Sequence, residues 1–329
     1  MATSTLELDR AIMIEKPSIA WSEVAGLEEA KEVLFEAIIS PIKFPHLVEG
    51  KPASCKRILL FGPPGTGKSY LVRAAAAEAN HSTILSVSAS YVISTLLSDL
   101  NRLIQRISDL VHTHKPCIIL VEEVDSLCSS RSDEREETQR LKTEFLGMIQ
   151  AMQSYSDGIF VLSATSTPWM LNSSIRQFFD KRVYISLPEE NARFMIFKSN
   201  LGNTAHYLTE DNLHILAGET NGCSGADIVV VVRDALMQPV REIQSATYFK
   251  QVSGSSPIDK TTVCDDLLAP CSPDESGAIK MSWMEMPSDK LFLRPVTMTD
   301  MLKSLHGFKP AVGDMDKFDK FREDFGQEG

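Results

Sequence analysis

The chain lacks any apolar run close to the roughly 20 residues that a membrane-spanning helix needs, and its first residues carry Glu7, Asp9 and Glu15 with no apolar leader core. Neither a span nor a secretory signal is therefore expected. It also lacks paired cysteines: the six, at 55, 117, 128, 223, 264 and 271, form no C-x-x-C pair. That pattern argues against a zinc site and against a disulfide framework, and it fits a reducing, cytoplasmic interior. Excess positive charge is missing as well. A net charge of −11 argues against nonspecific nucleic-acid binding through bulk electrostatics, though it leaves room for a local basic pore or patch, and no nucleic-acid partner is expected. No internal repeat is visible, so a single copy of any functional module is expected. What remains is a chain of 329 residues, 43% hydrophobic, long and apolar enough for two ordinary domains with their own cores.

Gly62-Pro63-Pro64-Gly65-Thr66-Gly67-Lys68-Ser69 fits the phosphate-loop pattern G-x-x-x-x-G-K-[ST] and directly follows the apolar run Ile58-Leu59-Leu60-Phe61. A strand feeding a glycine-rich turn into a helix start aims several backbone N–H groups and the positive end of the helix dipole at one point, where phosphate can sit. Lys68 adds a point charge for the β and γ oxygens of ATP, and Ser69 offers a hydroxyl to Mg²⁺. The following Tyr70 to Ala79, with its alanine run, is a strong helix former.

Up to about residue 187 short β-branched runs alternate with helical periodicities, which predicts an α/β unit with a parallel sheet and flanking helices. The expected strands are Ile58 to Phe61, Thr83 to Val87, Cys117 to Val121, Ile159 to Leu162 and Val183 to Ile185. Beyond Glu189 the chain reads as mainly helical, with helices over Glu190 to Asn200 and Gly225 to Ala246. Val252 to Ile258 reads as a loop rich in Ser, Gly and Pro, and Ile279 to Met284 and Leu291 to Val296 as short strands of an insertion. The expected organisation is an N-terminal segment 1–20, a large α/β subdomain 21–187, and a small helical subdomain 188–329. The last carries a β insertion at about 257–298 and a C-terminal helix.

Cys117 to Val121 ends in Glu122-Glu123-Val124-Asp125. Paired with a phosphate loop, a carboxylate at the strand end holds the water shell of Mg²⁺, and the next one orients or deprotonates the attacking water. This makes Glu122 the metal-side candidate and Glu123 the candidate base.

Trp21-Ser22-Glu23-Val24-Ala25-Gly26-Leu27, Pro41 to Leu47, the phosphate loop, Asp234 to Arg241, Pro270-Cys271-Ser272-Pro273, Gly277-Ala278-Ile279 and Asp324 to Gly329 together resemble the vacuolar protein sorting-associated protein 4 family of AAA ATPases. The resemblance covers nearly the whole chain. It implies the AAA fold, ATP with Mg²⁺, and oligomers with itself or with AAA relatives. It also implies work in endosomal sorting (ESCRT), where filament subunits are drawn through a central pore, at a cytoplasmic location peripheral to endosomal membranes and reached only through partners. The family's three-helix filament-binding (MIT) domain has no counterpart before Trp21.

By the same resemblance, Tyr70 and Gly225, the latter in Asn221 to Asp227, belong to the nucleotide site. Thr95, Leu96 and Leu97 stand where the family's first pore loop grips substrate, and Gly277, Ala278 and Ile279 where an activator docks on the β insertion. The acidic run Asp133 to Glu137 corresponds to the second pore loop.

Several of the family's chemical positions are altered. Its metal-side carboxylate is aspartate, and Glu122 is longer by a methylene, about 1.5 Å. The polar sensor, asparagine in the family, is Ser166. In Ile175 to Arg182, Gln177 and Phe178 replace two arginines, and an arginine finger is worth roughly 10³ to 10⁵ in rate. Lys181, like Arg176 and Arg182, keeps a positive charge that could substitute in part. The pore-loop aromatic is absent, and Val92 to Val111 carries apolar residues at three- and four-residue steps, as one amphipathic helix would. The preferred reading is an ATP-binding relative of the ESCRT-disassembling ATPase with impaired hydrolysis. Its rivals are an active ATPase motor, a regulatory subunit that joins and poisons hexamers of an active relative, and a degenerate copy.

Overall fold

The computed structural model describes residues 12–48, 55–91, 100–128, 147, 158–255, 263–311, 313 and 315–326. By contacts the chain divides into two units, one of Met1–Glu189, Gly222–Gly225 and Ala311–Gly329, the other of Glu190–Asn221 and Ala226–Pro310.

In the first unit the strands are β1 (Ile12–Glu15), β2 (Arg57–Phe61), β3 (Thr83–Ser88), β4 (Cys117–Glu122), β5 (Ile159–Thr165) and β6 (Lys181–Tyr184). They form one sheet in the order β1-β3-β4-β5-β2-β6. The pairs among β2 to β6 are parallel, and β1 lies antiparallel on β3 with Ile12 opposite Val87 and Glu15 opposite Ile84. Because successive side chains of a strand point to opposite faces, the strands feed two cores. Leu59, Leu85 and Ile119 join one apolar cluster, and Ile58, Ile84 and Ile118 join the other. The second cluster is closed by α1 (Glu28–Leu34) and α2 (Lys68–Glu78), the first by α3 (Leu100–Thr113) and α4 (Ser173–Phe178). α3 buries Leu103, Ile107 and Val111, the expected stripe at three- and four-residue steps. Residues 92–99, over which that stripe was expected to continue, and the acidic run at 133–137 lie outside the described residues.

The C-terminal helix α9 (Asp316–Phe325) falls in the first unit, not in the small subdomain where sequence order had put it. Its aromatic face explains this. Phe321 meets Phe61 edge-on with centroids 5.0 Å apart, and Phe318 meets Trp169 in the same way at 5.0 Å.

The second unit holds α5 (Glu190–Leu201), α6 (Glu210–Glu219), α7 (Gly225–Ser245, whose first residue counts with the first unit) and α8 (Met298–His306). α6 is started by a reciprocal cap in which Thr209 and Asn212 each accept the other's backbone N–H. A three-stranded sheet runs in the order β8-β7-β9, from β7 (Tyr248–Ser255), β8 (Val263–Pro270) and β9 (Ile279–Lys280). Here the sequence misleads. Val252 to Ser255 of the expected loop extend β7, because fully buried Phe249 anchors the strand against Ile243 and Leu268, and the rest of that stretch, 256–258, lies outside the described residues. The strand expected over Ile279 to Met284 stops at Lys280, and a Ser282-capped turn of Trp283–Glu285 follows. Leu291 and Val296 make single bridges, to Leu268 and His206, instead of a strand.

Candidate functional site

The phosphate loop has the backbone that its glycines allow. Gly65 and Gly67 sit at φ +77° and +91°, which side chains disfavour. At Gly62 a Cβ would lie 2.1 Å from the carbonyl oxygen of Ile185, so only glycine lets the loop pass under that strand end. α2 then begins at Lys68. The Lys68 side chain is buried, and its ammonium donates to the carbonyls of Gly62 at 2.8 Å and Pro63 at 2.7 Å. Burial lowers its pKa to about 8, with the charge of Asp125 opposing. A buried cation resting on neutral carbonyls is a site that gains from an anion.

At the second residue of α2, the Ser69 hydroxyl donates to Oε1 of Glu122 at 2.9 Å. The structure thus brings together the two candidates for Mg²⁺. The next residue, Glu123, adopts the left-handed region at φ +55°, a strained conformation for a side-chain-bearing residue at the end of a buried strand. Its carboxylate accepts from Ser90, which pairs in turn with Ser88 at 2.9 Å. Asp125 accepts from Thr165 at 2.6 Å, and Thr165 Oγ1 caps the N–H of Thr167 at 3.0 Å, which fixes the segment carrying half-buried Ser166. No group of three or more His, Cys, Asp and Glu is placed to hold a metal ion among the described residues. A divalent cation here would need oxygen ligands from a nucleotide besides Ser69 and Glu122, a donor set suited to Mg²⁺.

The turn from α4 to β6 separates residues that the sequence treats as equivalent. Gln177 is exposed, whereas Phe178 is 7% exposed and belongs to the apolar cluster shared with α3. Its ring lies 5.1 Å from that of Phe179, and the Arg57 guanidinium sits over it at 5.2 Å. Asp180 holds this turn onto β2 by accepting from the backbone N–H groups of Lys56 and Arg57 and pairing with the Arg57 guanidinium.

The three basic residues of the turn all have partners within the chain. Arg176 donates to the Leu171 carbonyl at 2.6 Å and stacks 4.3 Å over the Phe325 ring. Arg182 donates to the carbonyls of Phe325 at 2.7 Å and Arg176 at 3.1 Å. Lys181 reaches Glu36 at 3.4 Å.

Of the remaining candidates, Tyr70 is exposed, with its hydroxyl 3.4 Å from Glu23. Gly225 opens α7. Gly277 takes a left-handed turn at φ +83° beside Ala278, ahead of exposed Ile279. Thr95, Leu96 and Leu97 lie outside the described residues. Sequence reasoning missed Ser90, the Asp125–Thr165 pair, and the contact of Phe61 with the C-terminal helix. Serine at alternate positions 86, 88 and 90 near the end of β3 is the one pattern that could have pointed to the first.

Comparisons with known proteins agree with this fold. The ATPase family associated with various cellular activities (AAA) matches residues 58–187, the AAA+ lid domain 210–253, and the Vps4 C terminal oligomerisation domain 268–326. The chain is 54% identical to vacuolar protein sorting-associated protein 4A of Homo sapiens over 325 residues, covering 98% of this chain and 74% of that one. It is 45% identical to vacuolar protein sorting-associated protein 4 of Dictyostelium discoideum over 98% of this chain and 73% of that one. Among solved structures, the FIGL-1 AAA domain in complex with ADP superposes with a TM-score of 0.74 at 30% identity, covering 99% of this chain and 97% of that one. The chain belongs to the vacuolar protein sorting-associated protein 4 family of AAA ATPases.

Proposed function

We propose that this chain binds ATP with Mg²⁺ and acts in the disassembly of ESCRT filaments and the membrane remodelling that depends on it, with hydrolysis impaired. The observation that carries the binding half is the buried Lys68 ammonium resting on the carbonyls of Gly62 and Pro63. The backbone N–H groups of Gly65 to Ser69 would hold the phosphates and Lys68 the β and γ oxygens, while Ser69 and Glu122 would take the cation. The bound cation would neutralise charge developing on the phosphoryl oxygens. Glu123 would orient the attacking water once its carboxylate leaves Ser90.

The impaired half rests on the turn after α4. Phe178 is a core residue, and Arg176, Lys181 and Arg182 each have an in-chain partner. Association with AAA relatives is supported by the match to an oligomerisation domain over 268–326. Paired measurements of ATP affinity and steady-state hydrolysis on the purified chain test both halves. Tight binding with little turnover is expected. Turnover at the level of an active relative would overturn the impairment, and absence of binding would overturn the whole reading.

A regulatory role in mixed hexamers is favoured by the same turn. A subunit that presents Gln177 where its neighbour needs a cation should depress activity more steeply than its mole fraction when titrated into an active relative. A linear fall would count against it.

A further inference from the structure

The helix that starts at the phosphate loop carries a second charged contact, one turn beyond Ser69. Arg73 follows Ser69 by four residues in α2, and such residues share one face of a helix. Its Nε donates to Oε2 of Glu15 at 2.7 Å and its NH2 to Oε1 at 3.2 Å. Glu15 ends β1, the antiparallel strand at the sheet edge, and stands opposite Ile84, while Glu122 stands opposite Ser88 on the same strand β3. Ile84 and Ser88 are an even number of residues apart, so Glu15 and Glu122 point to one face of the sheet. That face is the one covered by α2. Ser69 holds Glu122 and Arg73 holds Glu15, so the two carboxylates are fastened to consecutive turns of one helix. The Arg73 guanidinium also feels the Glu122 charge in addition to that of Glu15.

We propose that Arg73 is a charge competitor for the proposed cation-binding carboxylate Glu122, and that Glu15 on the edge strand sets how much of the Arg73 charge reaches it. With Glu15 in place the bidentate pair holds the guanidinium at the edge strand, and Glu122 keeps its contact with Ser69. Without Glu15 the guanidinium is released toward Glu122. It would then compete with a divalent cation for the same carboxylate. β1 is thereby more than an edge cover: its last residue is connected to the metal side of the nucleotide site. The cation arm of this inference rests on the proposed nucleotide binding, whereas the coupling arm does not.

Two measurements on the full chain test it. In chemical denaturation without nucleotide, Glu15→Gln and Glu122→Gln should be non-additive, because Arg73 re-pairs with whichever carboxylate remains. The double variant should lose more than the sum of the singles, and the excess should vanish in an Arg73→Gln background. Additive losses would overturn the proposal whether or not the chain binds nucleotide.

In nucleotide titrations, Glu15→Gln should lower the gain in ATP affinity that Mg²⁺ gives over EDTA by about tenfold. Glu15→Gln/Arg73→Gln should restore that gain, and Arg73→Lys should retain most of it. A purely structural clamp would instead weaken ATP binding equally with and without Mg²⁺, and that result would also overturn the proposal. If the unaltered chain binds no ATP, the functional reading fails, and the denaturation cycle still decides the role of Arg73.

Discussion

The hydroxyl of Ser69 donates directly to the carboxylate of Glu122 at 2.9 Å. The longer side chain of glutamate therefore still reaches the serine itself. A bound cation would have to exchange this direct hydrogen bond for its own contacts to the two groups.

Glu122→Asp withdraws the carboxylate by about 1.5 Å. The expected outcome is a rise in Mg²⁺-dependent ATP affinity and in steady-state hydrolysis. A Mg²⁺ titration of both quantities checks it. Unchanged hydrolysis would mean that the substitution at this position is not what limits turnover.

Lys68→Ala should weaken ATP binding by about tenfold to a hundredfold, the range for a charge-assisted contact, and isothermal titration would read it. The lysine also gives a pH signature. Burial lowers its pKa to about 8, against 10.5 for the free side chain. Between those values the unfolded chain holds a proton that the folded chain has released. Nucleotide-free stability therefore rises with pH across that window, and the cost of burying the charge is present in full below about 8. Bound phosphate favours the charged form, so ATP affinity should fall as pH rises through the same window. The rise in Tm on adding ATP should be larger at about pH 7 than at about pH 9.5.

The phosphate loop and the strands of the parallel sheet were legible because each is a local pattern: a glycine spacing, or a short β-branched run bounded by turns. The stripe on α3 was legible for the same reason. β1 was not, since Ile12–Glu15 gains its strand character only from pairing with β3. β7 was hidden by its Ser and Gly content and is fixed by the burial of Phe249. The placement of α9 depends on the contact between Phe321 and Phe61, 260 positions apart in sequence. At the candidate site, the choice of Lys68, Ser69 and Glu123 as candidates follows from spacing. The different fates of Gln177 and Phe178 do not, because burial of one neighbour and exposure of the next is decided by what α4 packs against.

The contact between α9 and Phe61 has a measurable consequence. Phe61 is fully buried and immediately precedes Gly62, so the C-terminal helix supports the residue from which the phosphate loop springs. Phe321→Ala should cost about 3–5 kcal/mol, as large aromatic truncations in cores do. It should also weaken ATP binding relative to a truncation of similar cost elsewhere, such as Phe197→Ala in the other unit. Denaturant unfolding together with nucleotide titration separates the two effects, and equal losses of affinity would remove any special link between α9 and the loop.

Restoring arginine to the turn after α4 discriminates between two explanations of its chemistry. If a missing cation is all that limits this turn, arginine at either altered position should help. The structure predicts otherwise. Gln177 is exposed, so Gln177→Arg should fold normally, within about 0.5 kcal/mol of the unaltered chain, as surface substitutions do. In mixed assemblies with an active relative it should relieve the steep inhibition proposed for this chain. Phe178→Arg instead drives a charge into the cluster where Phe178 packs on Phe179 beneath the Arg57 guanidinium. It places two like charges together, and the Asp180 carboxylate there is already paired with Arg57. Its expected cost is several kcal/mol, seen as a lowered Tm, with no gain in activity. Activity gained by both variants would show that Phe178 leaves the core during the reaction cycle, and activity gained by neither would place the defect at Glu122 or Ser166 rather than in this turn.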